Sequence, residues 1–584
     1  MSNDRTIPMK VDGATVTFTV KVNGTAIPRT WQVFSVTVLK EANRIPQAKI
    51  TIIDGDPSKE TFAASSDAIF LPGGVIEIFA GHQSKEDLIY KGVVVKHAIA
   101  IRRNGASQLK LDCRDTAYNM TLGRFSASYK DMKDTDIASN LFSKYKLNIG
   151  KIDKSKFTHP EMVQYDSSDW DFLLGRLDVN GKLVLINDGT VSVVNPSFSA
   201  EPVLTLQYGA TILELDAEMD ARNQFAGVTA LTWDVADQEV AEVTGQAPAS
   251  VKEAGNFSAS QLAGVTQLKA MLLRHGGNIP QEELQAWADA ARQKSLLAKI
   301  RGRVTFDGFA AVKPGDLISL QGVGDRFNGK LFVSAVRHDI SDGAWTTSAQ
   351  FGMEPEWYTE KLPQHTGAAM LVPPVHGLQT GIVAQLKDDP AGEDRILIKI
   401  PMVDISGEGV WARIATLDAG KERGSFFRPD IGDEVLVGFI TNDPREAIVL
   451  GMLNSSKKPA PLSAKDENKE KGFFFASKMK ILFQEEDKSM TLETPAGNKI
   501  VLSEKEKGIT LEDQNGNKLV MNADGITLET AKKITLKSSG GDIELQGVNI
   551  KNAAQAQFKA EGSAGMELSS SAIAKLKGSL VQIN

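Results

Sequence analysis

Over about its last hundred residues the chain repeats a short apolar-x-apolar unit, with glycine or asparagine between copies. Ile500-Val501-Leu502, Ile509-Thr510-Leu511, Leu519-Val520-Met521, Ile526-Thr527-Leu528, Ile534-Thr535-Leu536 and Ile543-Glu544-Leu545 follow one another at roughly seven to ten residues. Turn signals lie between them at Gly497-Asn498, Asn515-Gly516-Asn517, Asp524-Gly525 and Gly540-Gly541. Strand-length runs at this interval predict a β-solenoid or β-prism. Alternation puts Ile500, Leu502, Ile509, Leu511, Ile526, Leu528, Ile534, Leu536, Ile543 and Leu545 on an inner face, with Thr527 and Thr535 outside. One copy does not fold alone, because about two buried side chains do not offset the backbone entropy of the roughly nine residues that carry them. The economical solution is several chains wound together, each stripe meeting those of its partners.

Upstream, the hydrophobic period changes in blocks. Residues 1 to about 125 alternate with period two at Val16, Phe18 and Val20, and again at Phe34, Val36 and Val38, which predicts a compact β-barrel. From about 130 the period becomes helical, with Asp134 as a candidate cap before Ile137, Leu141 and Phe142. Ser168 and Asp171 form an S-x-x-D capping box, followed by Trp170, Leu173, Leu174 and Leu177 on one face up to Asn180-Gly181. A hairpin is predicted across Asn187-Asp188-Gly189. Residues 200 to about 365 return to β structure around a helix carrying Leu284, Trp287, Ala288 and Ala291, with Pro280 at its start. Proline-bearing linkers at 363–376 and 455–472 enclose a small β domain in which Ile396, Ile398 and Ile400 alternate.

Composition narrows the function. A chain of 584 residues, 42% hydrophobic and 24% charged, is an ordinary multidomain folded protein. A net charge of −7 argues against a nucleic-acid binder or a polybasic membrane-surface protein. Cys113 is the single cysteine, which rules out an intrachain disulfide. The first ten residues lack an apolar signal-peptide core, so cytoplasmic synthesis is expected.

Candidate chemistry is sparse. Gly329-Lys330 and Gly420-Lys421 lack P-loop spacing, and His97, His159 and His338 read as satisfied structural histidines. Asp169 and Asp171 flank Trp170 and are explained by the first helical turn. Trp411, Arg413, Phe426, Phe427 and Arg428 could clamp a nucleic-acid strand, but Asp388, Asp389, Glu393 and Asp394 weaken such a groove. No catalytic residue, cofactor or metal is expected.

Two stretches carry a family resemblance. Residues 163–176, from Val163-Gln164-Tyr165-Asp166 through Phe172-Leu173-Leu174-Gly175-Arg176, resemble the hub segment of the VgrG family, the trimeric hub-and-spike proteins of contractile injection systems. Val410-Trp411-Ala412-Arg413, Arg428-Pro429-Asp430-Ile431-Gly432-Asp433-Glu434-Val435 and Asn442-Asp443-Pro444 through Gly451 are similar to the signature of that family's OB domain. Trp411, Arg413, Pro429, Gly432, Glu434, Asp443, Pro444 and Gly451 are the motif positions. The lysozyme domain that phage spikes carry before the needle is replaced here by a short linker.

The resemblance implies a mainly β, multidomain fold. Its parts are a hub of two β-barrels (1–125 and 201–362, the second with a helical insertion), an α+β subdomain (126–200), an OB-fold collar (377–454) and an intertwined trimeric β-helix needle (473–584). It implies a non-enzymatic homotrimer that joins a sixfold inner tube to a threefold spike, with baseplate proteins, effector cargo and a transient target-membrane contact as partners. The alternative is a trimeric glycan or peptidoglycan hydrolase. A needle without His or Cys cannot build a metal tip of its own. A tip protein of the PAAR-repeat type is therefore expected on Leu580, Val581, Gln582, Ile583 and Asn584.

Overall fold

The computed structural model describes residues 15–268, 270–362, 368, 371–404 and 406–583, and forms two compact units, 1–365 and 366–584. In the first unit the period-two segments pair into a 13-stranded sheet. Its path runs from Glu214–Met219 through Ile300–Asp307, Ala344–Phe351 and Gly329–Ser341 to Val33–Glu41. From there it continues through Gln47–Ile53, Gln108–Arg114, Lys85–Ala100, Val75–His82 and Val16–Val22.

The two β regions expected as separate barrels are thus joined by hydrogen bonds, and the cause is one long strand. Gly329–Ser341 has 13 residues. Its first part pairs with Leu317–Gln321, and its second part pairs antiparallel with Val33–Glu41, Ile340 opposite Val36. Each side keeps its own core. Val36, Ile50, Ile78 and Leu111 fill one; Leu206, Val304, Ile318 and Phe351 fill the other.

Two helices, Asp134–Lys144 and Asp169–Val179, pack on the hairpin Leu183–Asn187/Thr190–Val194. Ser168 caps the second helix as expected, its Oγ accepting from the Asp171 amide at 3.0 Å. Asp134 does not cap the first. Lys133 stands at the cap position with no side-chain bond, and Asp134 is buried in an ion-pair network instead. Asp169 is likewise more than a first-turn acid. It accepts from Lys144 Nζ at 2.6 Å, Tyr145 Oη at 2.8 Å and Gln164 Nε2 at 2.8 Å, which ties three elements together.

The second unit holds a closed five-stranded barrel in the order Gln379–Gln385, Ile396–Lys399, Val410–Ile414, Ala447–Met452, Glu434–Phe439. Val383, Ile398, Ala412, Val435 and Val449 fill it. From residue 470, inside the expected 455–472 linker, the chain lays down a seven-stranded antiparallel meander from Glu470–Phe474 to Gly525–Glu529. The repeat does not continue as strands: Ile534, Leu536, Ile543 and Leu545 lie in extended segments without strand assignment, and every residue from 531 to 583 is exposed. A strand requires a neighbour, and the hairpin turns that supply one within the chain stop at Asp524-Gly525. The described helices include none long and apolar enough to cross a membrane.

Candidate functional site

From its second strand onward the C-terminal meander presents one apolar face; in the first strand Phe473 continues it but Lys471 stands opposite Phe483. Because each hairpin keeps register, the apolar positions stack into two columns. One runs Ile481, Leu492, Ile500, Leu511, Leu519, Leu528; the other runs Phe483, Met490, Leu502, Ile509, Met521, Ile526. These side chains are half-buried or exposed, most openly in the last strand. Ile526 is 75% exposed and Leu528 54%. The opposite face carries Leu482, Thr491, Val501, Thr510, Val520 and Thr527 at its centre.

Two polar devices fix the register. Lys480, Glu493, Lys499, Glu512, Lys518 and Glu529 form a column of alternating charge along one edge. Its ion pairs include Lys480–Glu493 at 2.9 Å and Lys499–Glu512 at 3.4 Å. Beside them the hairpin loops interlock. Asn498 reaches back to Thr494 at 3.1 Å and accepts from the Gln514 amide of the next loop at 3.1 Å; Asn517 donates to Asp513 at 2.7 Å and accepts from Thr530. The expected inward positions begin at Ile500 and leave out Ile481, Phe483, Met490, Leu492, Leu519 and Met521. The 19-residue recurrence of Lys480, Lys499 and Lys518 carries the signal that finds them.

The barrel motif residues have architectural surroundings. Gly432 stands in a turn closed by the Asp433 amide on the Asp430 carbonyl at 3.0 Å, with φ +86°. Its amide also donates to the Val383 carbonyl at 2.8 Å. Asp443 is buried and accepts from Arg445 Nη2 at 2.6 Å and Nε at 2.9 Å; these bonds hold its carboxyl down at about 2. Pro429 is buried, Pro444, Glu434 and Trp411 are half-buried, Arg413 is exposed, and Gly451 pairs with Leu436. Phe427 stacks on Phe473 and Phe475 at the start of the meander, at 5.5 and 6.4 Å between ring centroids. Arg428 pairs with Asp394 and lies 5.1 Å from the Phe426 ring. Phe427 and Arg428, two of the residues weighed for stacking nucleic acid, therefore have partners within the chain.

In the first unit, Asp134 takes Arg176 Nε at 2.9 Å, His159 Nε2 at 3.0 Å and Asn180 Nδ2 at 2.8 Å, while Arg176 Nη2 reaches Glu283 at 2.6 Å. Burial alone pushes the Asp134 carboxyl up, but the bonds from His159 and Arg176 outweigh it and hold the group at about 2. The network ties both helices of the α+β region to Gln281–Leu297, and it makes His159 structural. His338 is buried against Thr347 at 3.0 Å, with burial pushing its ring down to about 3. Among the described residues no group of three His, Cys, Asp or Glu side chains is placed to hold a metal. At the far end, Leu580 and Ile583 are 81% and 86% exposed and Val581 and Gln582 are also exposed, while Asn584 lies outside the described residues.

Three family profiles match the chain: the Alg8 N-terminal domain over residues 12–342, the type VI secretion system/phage-baseplate injector OB domain over 379–453, and the phage baseplate V C-terminal trimerisation domain over 489–554. The chain is 32% identical over 97 residues to the type VI secretion system spike proteins VgrG1a and VgrG1c of Pseudomonas aeruginosa. Those alignments cover 15% of this chain and only 15% and 13% of the two relatives. Among solved structures, the 43 kDa tail protein of prophage MuSo2 from Shewanella oneidensis is similar at 10% identity, covering 58% of this chain and 99% of that one with a TM-score of 0.45. A type VI secretion component of Escherichia coli, described as structurally similar to T4 tail proteins, is similar at 13% identity, covering 74% and 99% with a TM-score of 0.38. With more than half its length in one profile, the chain belongs to the family of the Alg8 N-terminal domain and, by its OB and trimerisation domains, to the VgrG-type spike proteins.

Proposed function

We propose that this protein is the structural hub and spike of a contractile injection particle, working as a homotrimer without catalysis of its own. One observation carries the reading: from its second strand onward the meander keeps one face apolar, on a stretch that overlaps the match to a trimerisation domain. Three such faces turned inward form a prism whose core is the two columns, and segments 531–583 then find their strand partners in the other chains. Ile500, Leu502, Ile509, Leu511, Ile526 and Leu528 are the described core of that prism, and Ile534, Leu536, Ile543 and Leu545 continue it.

In this reading the first unit, repeated around the threefold axis, adapts a sixfold inner tube and contacts baseplate proteins. The barrel at 379–453 forms the collar. Sheath contraction drives the needle through the target envelope, and residues 580–584 carry a separate tip protein of the PAAR type with any effector cargo. Native mass spectrometry of the full chain tests the assembly; a folded monomer at micromolar concentration overturns it. Clearing of purified peptidoglycan by the wild-type trimer would restore the hydrolase alternative.

A further inference from the structure

The apolar face does not stop where the trimerisation match begins at residue 489. It continues toward the barrel into a groove of about 400 Å³ lined by Phe475, Met479, Ile481, Leu492 and Ile500. Phe427 of the same chain stacks on Phe473 and on Phe475, one of the lining residues. The residue before it is not used in this way: Phe426 is 79% exposed, and Leu417, across the same hairpin, is 92% exposed. That hairpin is preorganised. Ala419 and Gly420 pair with Gly424 and Arg423, the Ser425 amide donates to the Asp418 carbonyl at 2.9 Å, and Arg423 bonds Asp418 at 2.6 Å. Two large apolar side chains on a rigid arm form an anchor awaiting a pocket.

We propose that Phe426 and Leu417 of one chain dock into the groove of a neighbouring copy of the same chain, sealing the base of the needle core against water. The inference rests on the trimer reading above. A second copy is the occupant because the groove is continuous with the trimerisation face: Leu492 and Ile500 line both. The arm and the groove also belong to one repeated subunit, so a closed ring satisfies every arm and every groove at once. The contact couples the collar to the needle between chains, while the Phe427 stack couples them within a chain.

Cysteine substitution reads this contact directly, because native Cys113 is buried with its thiol pushed up to about 12 and stays silent. The full chain carrying Phe426→Cys together with Met479→Cys is treated with a short bismaleimide and run denatured, beside each single substitution. The expected product is a ladder ending at a covalent trimer, three times the 63.1 kDa chain, with the single variants staying at chain mass. Cross-links confined within a chain, or none, while native mass spectrometry still records a trimer, overturn the docking and leave the trimer reading standing. A monomer by native mass overturns both.

Discussion

Ile526 and Thr527 are neighbours in the last strand of the meander yet belong to opposite faces, Ile526 opposite Met521 in an apolar column and Thr527 opposite Val520 on the other side. Replacing Ile526 with Asp brings three unpaired carboxylates together at the proposed axis, a cost of several kcal/mol per trimer. Ile526→Asp is expected to abolish the trimer by native mass spectrometry, and Thr527→Asp to leave it in place. Equal behaviour of the two variants would refute the register.

Acid sensitivity should come in two steps. The His338 ring is held at about 3 in the folded protein against an ordinary 6.5, so the unfolded chain takes up the proton first and stability falls as pH drops from 6.5 toward 3. Asp134 is held at about 2 against 3.8, and its contribution is present above pH 3.8 and lost as pH falls toward 2. The second step is worth roughly 2–3 kcal/mol. Thermal melts across this range should show a smaller lower step in Asp134→Asn, a variant less stable than wild type at pH 7; Asp443, also held at about 2, keeps part of that step.

The charged column predicts a salt-dependent register. Lys499 lies between Glu493 and Glu512 and pairs with Glu512; that pair is partly exposed, so it is worth about 0.5 kcal/mol. Lys499→Glu sets three carboxylates in a row and should lower the melting temperature of the spike at low ionic strength, an effect that shrinks in about 0.5 M salt as screening sets in. A melting temperature that ignores both the substitution and the salt would contradict the ladder.

Gly432 tests the barrel. A Cβ there meets nothing closer than Lys458 Nζ at 3.8 Å, so a side chain fits and only the left-handed backbone resists it. Gly432→Ala is expected to cost about 1 kcal/mol in barrel stability without preventing assembly. Hydrogen exchange of the barrel amides under increasing denaturant would measure it.

Truncation tests the tip. Removing residues 580–584 should abolish co-purification of a tip protein while the trimer persists. Association that survives the deletion would place the cap elsewhere.

Much of this architecture was legible before any coordinates. Period-two alternation, the helix cap at Ser168, the turn at Asp188-Gly189 and the apolar triplets up to Ile526-Thr527-Leu528 are local consequences of backbone geometry, and the strands, helix and hairpins stand where those signals put them. Within the strands from Lys499–Ser503 to Gly525–Glu529 the apolar positions share one face, because an alternating strand declares its own faces.

Tertiary structure decided the rest, since pairing between distant segments has no local code. Nothing near Val36 announces that its partner is Ile340, yet that pair makes one sheet of two regions. Asp134 carries the marks of a helix cap, and only the arrival of His159, Arg176 and Asn180 from other elements turns it into the centre of a buried network. After Thr530 the triplets keep their local pattern but leave the sheet, because a strand is completed by hydrogen bonds from a neighbour and this chain turns back on itself no further.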